Sequence, residues 1–166
     1  MHESTDRLAL PLLAAGQAQK ELTHNEAVVR LDALVMAAIE SVGLSEPPPA
    51  PVAGQCWIVG TAPVGAWQGQ AGSIACWTSG GWRFTAAHDG MVAWSRADAM
   101  DVRFVDGEWH KGKLSGHTIT LDGKTVVRNR QAAIAAPSGG AVVDQEARAS
   151  ITSILLALRQ HGLIET

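Results

Sequence analysis

Between residues 52 and 130 the chain is punctuated by dipeptides that restrict how it can turn. Gly80-Gly81, Asp106-Gly107 and Asp122-Gly123 each separate two short apolar or alternating runs. These pairs accept positive φ angles, which two-residue hairpin loops need if the turn is to match the twist of the strands it joins. Strand-like runs at 55–59, 72–78, 82–86, 91–94, 102–105, 118–121 and 124–128 are therefore expected to pair locally. The pattern predicts an antiparallel meander or small sandwich, with no long helix in that interval. The clearest hairpin is HTITLDGKTVVR.

Helical signals flank this region. Thr23 and Glu26 have capping-box spacing, in which a hydroxyl and a carboxylate each satisfy an orphaned backbone N–H. Val28, Leu31, Val35, Ala38 and Val42 then recur every three or four residues, a stripe that predicts a helix over residues 24–42. Gly43 suits its end, while Pro47, Pro48, Pro49 and Pro51 bar continuation and predict a stiff, extended spacer. Near the other end, Asp144 suits an N-cap, Glu146 the positive helix pole, and Gly162 with Leu163 a terminator. Ala147, Ile151, Ile154 and Leu158 form a second heptad-like seam over 145–161, widened by Leu155. A lone helix of this length is marginal in water, so its apolar face needs a partner: its own β domain or the same helix of neighbouring chains.

The chain thus reads as α+β, an antiparallel Trp/Gly-rich β domain between amphipathic helices. Residues 1–46 form an attachment and oligomerisation segment, 47–130 the β domain, and 131–166 a linker and helix. Val28, Leu31, Val35, Ala147, Ile151, Ile154 and Leu158 are the expected oligomer interface. Isoleucine at seam positions is compatible with a homotrimer.

Apolar residues make up 46% of the chain and charged residues 17%, which excludes a disordered tail. Net charge is -3, and the short basic cluster at Arg128 and Arg130 is no stripe for phosphates, so nucleic acid is not an expected partner. The opening residues carry acid where a signal peptide carries positive charge, and Pro11 breaks the apolar run of 8–15. Synthesis in the bacterial cytoplasm without a signal peptide or membrane insertion is the expectation. Cys56 and Cys76 lack zinc-site spacing and are too few for a disulfide scaffold. They read as small buried hydrophobes.

Motifs for catalysis are absent: there is no phosphate loop, nucleophile elbow, dinucleotide glycine pattern or HExxH. His88-Asp89, His110 and His117 are the best pieces for a base or metal ligand, but no third ligand has suitable spacing. Asp106, Glu108 and Asp122 have the chemistry of a glycosidase pair, yet turn formation accounts for them better. No catalytic residue, metal or cofactor is assigned. The six tryptophans stand out beside two phenylalanines and no tyrosine. Trp57 and Trp77, inside strand runs, read as core. Trp67, Trp82 and Trp109 sit in glycine-rich or turn-flanked settings that can hold an indole face open. Together with Gln68 and Glu108 they are the carbohydrate-binding candidates, with burial or a subunit interface as the competing reading.

Residues 10–35 fit LPxxAAGQAQKExTHNEAxxRLDALV, followed by QCWIVG and GAWQGQAGSIACWTSGGW and by a C-terminal IAAPSGGAVVDQEARASITSILLALRQHGLI. These segments resemble an uncharacterised family common in tailed phages, prophages and gene-transfer-agent clusters. The resemblance implies a tail-fibre or spike component of the particle, placed in the virion and contributing to host attachment. It implies no reaction. The expected partners are copies of itself, other tail or spike proteins, and a host-surface polysaccharide. The alternatives are a polysaccharide-degrading enzyme or its carbohydrate-binding module, and a purely architectural virion adaptor.

Overall fold

The computed structural model describes residues 4–16, 20–141 and 144–165. Residues 1–3 and 17–19 of the N-terminal segment lie outside that description. The first elements are α1 (Lys20–Leu34), β1 (Ala38–Ile39), β2 (Val42–Leu44), β3 (Cys56–Val59) and the 3₁₀ turn η1 (Gly65–Trp67). There follow β4 (Ile74–Thr78), β5 (Gly81–Thr85), β6 (Val92–Ser95), β7 (Met100–Val105) and β8 (Glu108–Lys111). The chain closes with β9 (Ile119–Leu121), β10 (Lys124–Val127) and α2 (Gln145–Gln160). It divides into two compact units, residues 1–113 and 114–166.

Two of the three turn dipeptides act as their chemistry demands; at the third, Thr78 pairs with Gly81, so the loop is Ser79-Gly80 and Gly81 already belongs to β5. Val105 pairs with Glu108 across Asp106-Gly107, and Leu121 with Lys124 across Asp122-Gly123. Both residues of these two loops have positive φ, from 47° at Asp122 to 81° at Gly107, the geometry of a twist-matched hairpin. The fold is α+β with antiparallel-rich sheets. In the first unit one sheet has the order β1-β6-β7-β8 and the other β2-β3-β4-β5.

The predicted helix over 24–42 needs correction. The helix starts earlier, at Lys20, and stops at Leu34, so Ala38 and Val42 belong to strands. Thr23 lies inside the helix rather than capping it, and Glu26 pairs with Arg83 instead. Met36 takes a left-handed φ of 47°, and the Arg7 guanidinium satisfies the carbonyls of Asp32 and Met36. The following backbone is claimed by the sheets. Ala37 O accepts from Trp94 N–H at 2.8 Å and Ser41 O from Ile58 N–H at 3.1 Å. β1 thus joins β6, and β2 joins β3, both in parallel. Parallel pairing joins segments distant in sequence, which local hairpin signals cannot reveal.

Alternation along β3 serves two cores. Cys56 and Ile58 join Ile39, Ile74, Cys76, Ala93 and Val102 in a cluster that draws on both sheets, on Ala33 within α1 and on Ala37 just after it. Trp57 and Val59 join Trp67 and Ala75 in a second cluster. Every residue of β3 is buried, so the strand is a continuous apolar run rather than an alternating one. Beyond it Gly60 lies so close to β2 that an added Cβ would sit 2.6 Å from Gly43 O. Only a residue without a side chain fits there.

In the second unit, Asp144 caps α2 by accepting from Ala147 N–H at 2.9 Å. Gly162, at φ 71°, closes it, with Leu163 N–H donating to Leu158 O at 2.9 Å. The β9–β10 hairpin, assigned from sequence to the β domain, falls in this unit, and the division lies after Lys113 rather than after residue 130. Among the described residues no helix is long and apolar enough to cross a membrane.

Candidate functional site

The tryptophans divide between two places. Trp67 is wholly buried, its ring centroid 6.3 Å from Trp57 and 5.2 Å from Trp82. This corrects the expectation of an open indole. Gly65 at φ 60° and Gly69 at φ 80° fold a tight turn around η1 that plants the ring inward. Trp82 is half-buried at the hub of the same cluster, with edge contacts to Trp57 at 5.6 Å and Trp77 at 5.0 Å. Its setting beside a hairpin turn does not expose it as a platform. Gln68, the residue that follows η1, is exposed. Trp57 is buried and Trp77 half-buried, as expected of strand residues.

Trp109 stands apart. It lies on β8 opposite Phe104 of β7, with the ring centroids 5.2 Å apart. Its indole Nε1–H donates to Gly72 O at 2.8 Å, tying the β7–β8 hairpin to the turn that leads into β4. Beside it opens a cleft of about 410 Å³, walled by Phe104, Trp109 and the backbone of Gly43, Gly60 and Gly72, with Thr61 and Glu108 contributing polar groups. Trp109 and Glu108 are thus the two sequence candidates that come together. Phe104, Thr61 and the glycine wall were not foreseen. The glycine wall depends on the β2–β3 parallel pairing, for which the sequence carries no local signal.

Glycosidase chemistry needs two carboxylates flanking a sugar bond, and among the described lining residues Glu108 is the one carboxylate. Asp106 and Asp122 occupy hairpin loops, where their positive φ explains them. Among the described residues no group of three or more His, Cys, Asp or Glu is placed to hold a metal.

Three polar residues of the N-terminal signature bind the chain itself. Asp32, 4% exposed on α1, accepts from Thr5 Oγ1 at 2.8 Å, Arg7 N–H at 2.9 Å and Leu8 N–H at 2.7 Å. Asn25 brackets the Leu13 peptide groups. Glu26 accepts from Arg83 of β5, with Nη2 to Oε1 at 2.7 Å and Nε at 3.0 Å from both oxygens. The hydrogen bond from Arg83 holds the Glu26 carboxyl below its ordinary value, against the opposing effect of burial. The sequence gives a hint of this role, since Asp32 interrupts an otherwise apolar run, LDALV.

Of the expected interface residues, Leu31, Val35, Ala147, Ile151 and Ile154 are exposed, while Val28 and Leu158 are half-buried. Leu155, which the sequence placed beside the seam, is the buried residue of α2.

The model of one family, described as a protein of unknown function (DUF2793), matches residues 24–110. The chain belongs to that family. The matched region runs from within α1 to β8 and so takes in both sheets of the first unit. No curated protein matches the chain.

Proposed function

We propose that this protein is a structural component of a tail fibre or spike of a tailed phage or gene-transfer agent, acting through assembly and host-surface contact rather than catalysis. The observation that carries the reading is the imbalance of residues 114–166. Ile119, Leu121, Ile134, Ile151, Ile154 and Leu156 are exposed, whereas among the described residues Leu155 and Ile164 are the buried apolar ones. A two-stranded hairpin and a four-turn helix are each marginal alone. Burial against copies of the same chain supplies the missing core, and the seam of Ala147, Ile151, Ile154 and Leu158 suits a homotrimer. The resemblance of residues 10–35 to phage and gene-transfer-agent proteins supports the particle as its location.

The Trp109 cleft is the host-facing element in this reading. A sugar C–H face stacks on an aromatic wall while Glu108 and Thr61 exchange hydrogen bonds with hydroxyls. Each site binds weakly, and several copies on one particle convert weak contacts into avidity. Electron microscopy of intact particles carrying a labelled copy tests the location. Label on the tail or spike supports the proposal; label absent from purified particles overturns it. Sedimentation of the purified chain tests the assembly, with a stable monomer at micromolar concentration as the adverse result.

A further inference from the structure

We propose that Cys56 and Cys76 form a dithiol–disulfide site at which peroxide installs an intrachain bond between β3 and β4. The two residues lie directly opposite each other in antiparallel register. The adjacent backbone bonds, Trp77 N–H to Gln55 O at 2.8 Å and Val59 N–H to Ser73 O at 3.0 Å, fall on the alternate pairs. The cysteines therefore occupy a non-hydrogen-bonded pair, where Cα atoms approach to about 4.5 Å. That lies within the range of about 4.4–6.8 Å that a disulfide spans. Both side chains enter the same core cluster, and Cys56 Sγ–H donates to Cys76 Sγ at 2.7 Å. Little backbone movement separates the thiols from the bonded state.

The pair is also chemically asymmetric. The hydrogen bond to Cys76 is the largest influence raising the Cys56 thiol, followed by burial, and the same bond lowers Cys76. Cys76 is the attacking thiolate. It displaces hydroxide from hydrogen peroxide, breaking the O–O bond and becoming a sulfenic acid. Cys56 then attacks the Cys76 sulfur and the S–O bond breaks. The departing hydroxide takes up the Cys56 proton, and the hydroxide from the first step takes up the proton released by Cys76. The balance is two thiols and one peroxide to one disulfide and two waters. The new bond closes a loop that contains η1 and Trp67, fixing the second core cluster.

The test uses the full chain, freed of reductant, treated with hydrogen peroxide, denatured, alkylated and weighed intact. The expected product loses two hydrogens, gives a peptide linking residues 56 and 76, takes no alkylation and stays a single chain on a non-reducing gel. It melts roughly 10 °C above the reduced form. Neither Cys56→Ser nor Cys76→Ser forms the intrachain bond under the same treatment. Wild-type protein that gains oxygen while keeping no bridge, or that keeps both thiols after treatment, overturns the proposal. The wild-type measurement decides the matter even where a serine variant fails to fold.

Discussion

Asn25 holds Leu13 by both halves of its backbone: Leu13 N–H donates to Asn25 Oδ1 at 2.9 Å, and Asn25 Nδ2 donates to Leu13 O at 3.0 Å. About two turns further along α1, the Asp32 carboxylate accepts from the Thr5 hydroxyl and from the backbone N–H groups of Arg7 and Leu8. The helix therefore acts as a bracket that fastens the preceding irregular segment. Irregular backbone has no ladder of its own, so side-chain partners must satisfy it where it is buried.

Asp32→Ala removes the acceptor for three donors at once. Leaving buried donors unsatisfied costs about 1–3 kcal/mol each at most, and partial access of water reduces the sum. The expected loss is about 2–4 kcal/mol in urea unfolding, with earlier proteolytic cleavage within residues 4–16. Asp32→Asn retains one acceptor oxygen and should lose less. Equal stability of the Asp32→Ala and wild-type proteins would show that the bracket contributes nothing.

Most strands of the sheets were legible because their signals are local, whereas β1, β2 and β8 were not among the expected runs. Gly-containing dipeptides and period-two runs located β3 to β7, β9 and β10 within two residues at most boundaries. The stop of α1 was not legible. Ala38 and Val42 continue a helical stripe as well as they fit strands, and the contest is decided by distant partners, Trp94 on β6 and Ile58 on β3. The same limit applies to the site. Glu108 and Trp109 are neighbours in sequence on β8, yet the cleft they border is completed by Gly43 and Gly60. Trp67 was misread because a glycine-rich turn can direct an indole inward as readily as outward.

The Glu26–Arg83 pair predicts a defined pH dependence. The Glu26 carboxyl is lowered in the folded chain, so its contribution is present above the unfolded value of about 4.3 and is lost as pH falls through the lower folded value. Arg83 is raised and stays charged throughout that range. Both side chains are partly exposed, at 30% and 46%, which limits the effect to about 0.5–1 kcal/mol at neutral pH and makes it sensitive to salt. Glu26→Gln should therefore lower the melting temperature at pH 7, and the gap should narrow below about pH 4. A gap that widens in acid would reverse the assignment.

Trp67 is a core residue whose polar atom contributes little. Among the described residues its buried Nε1 has no hydrogen-bond partner. Trp67→Ala should cost about 3–5 kcal/mol through the cavity it leaves between Trp57 and Trp82. Trp67→Phe fills part of that space and forfeits no hydrogen bond, so it should cost clearly less in the same denaturant series. Trp109→Phe should behave oppositely in kind, freeing Gly72 O from its 2.8 Å bond. If Trp67→Phe proves as damaging as Trp67→Ala, the indole N–H has a partner that its burial conceals.

The apolar surface of α2 gives the sharpest test of assembly. Ile151 and Ile154 are 45% and 58% exposed, and both project from a helix whose few charges lie near its ends. Burying a large aliphatic side chain contributes about 1.5–3 kcal/mol per chain, so two such residues repeated around a symmetric seam exert strong leverage on association. Replacing both by Asp places like charges against one another at every symmetry-related contact and removes the apolar gain. Sedimentation should then show a single chain, while far-UV circular dichroism retains the β signal of residues 1–113, whose two core clusters contain no residue of α2. An Ile151→Asp/Ile154→Asp protein that sediments as the wild type does would remove α2 from the interface and leave the exposed hairpin β9–β10 as the surface to be mutated next.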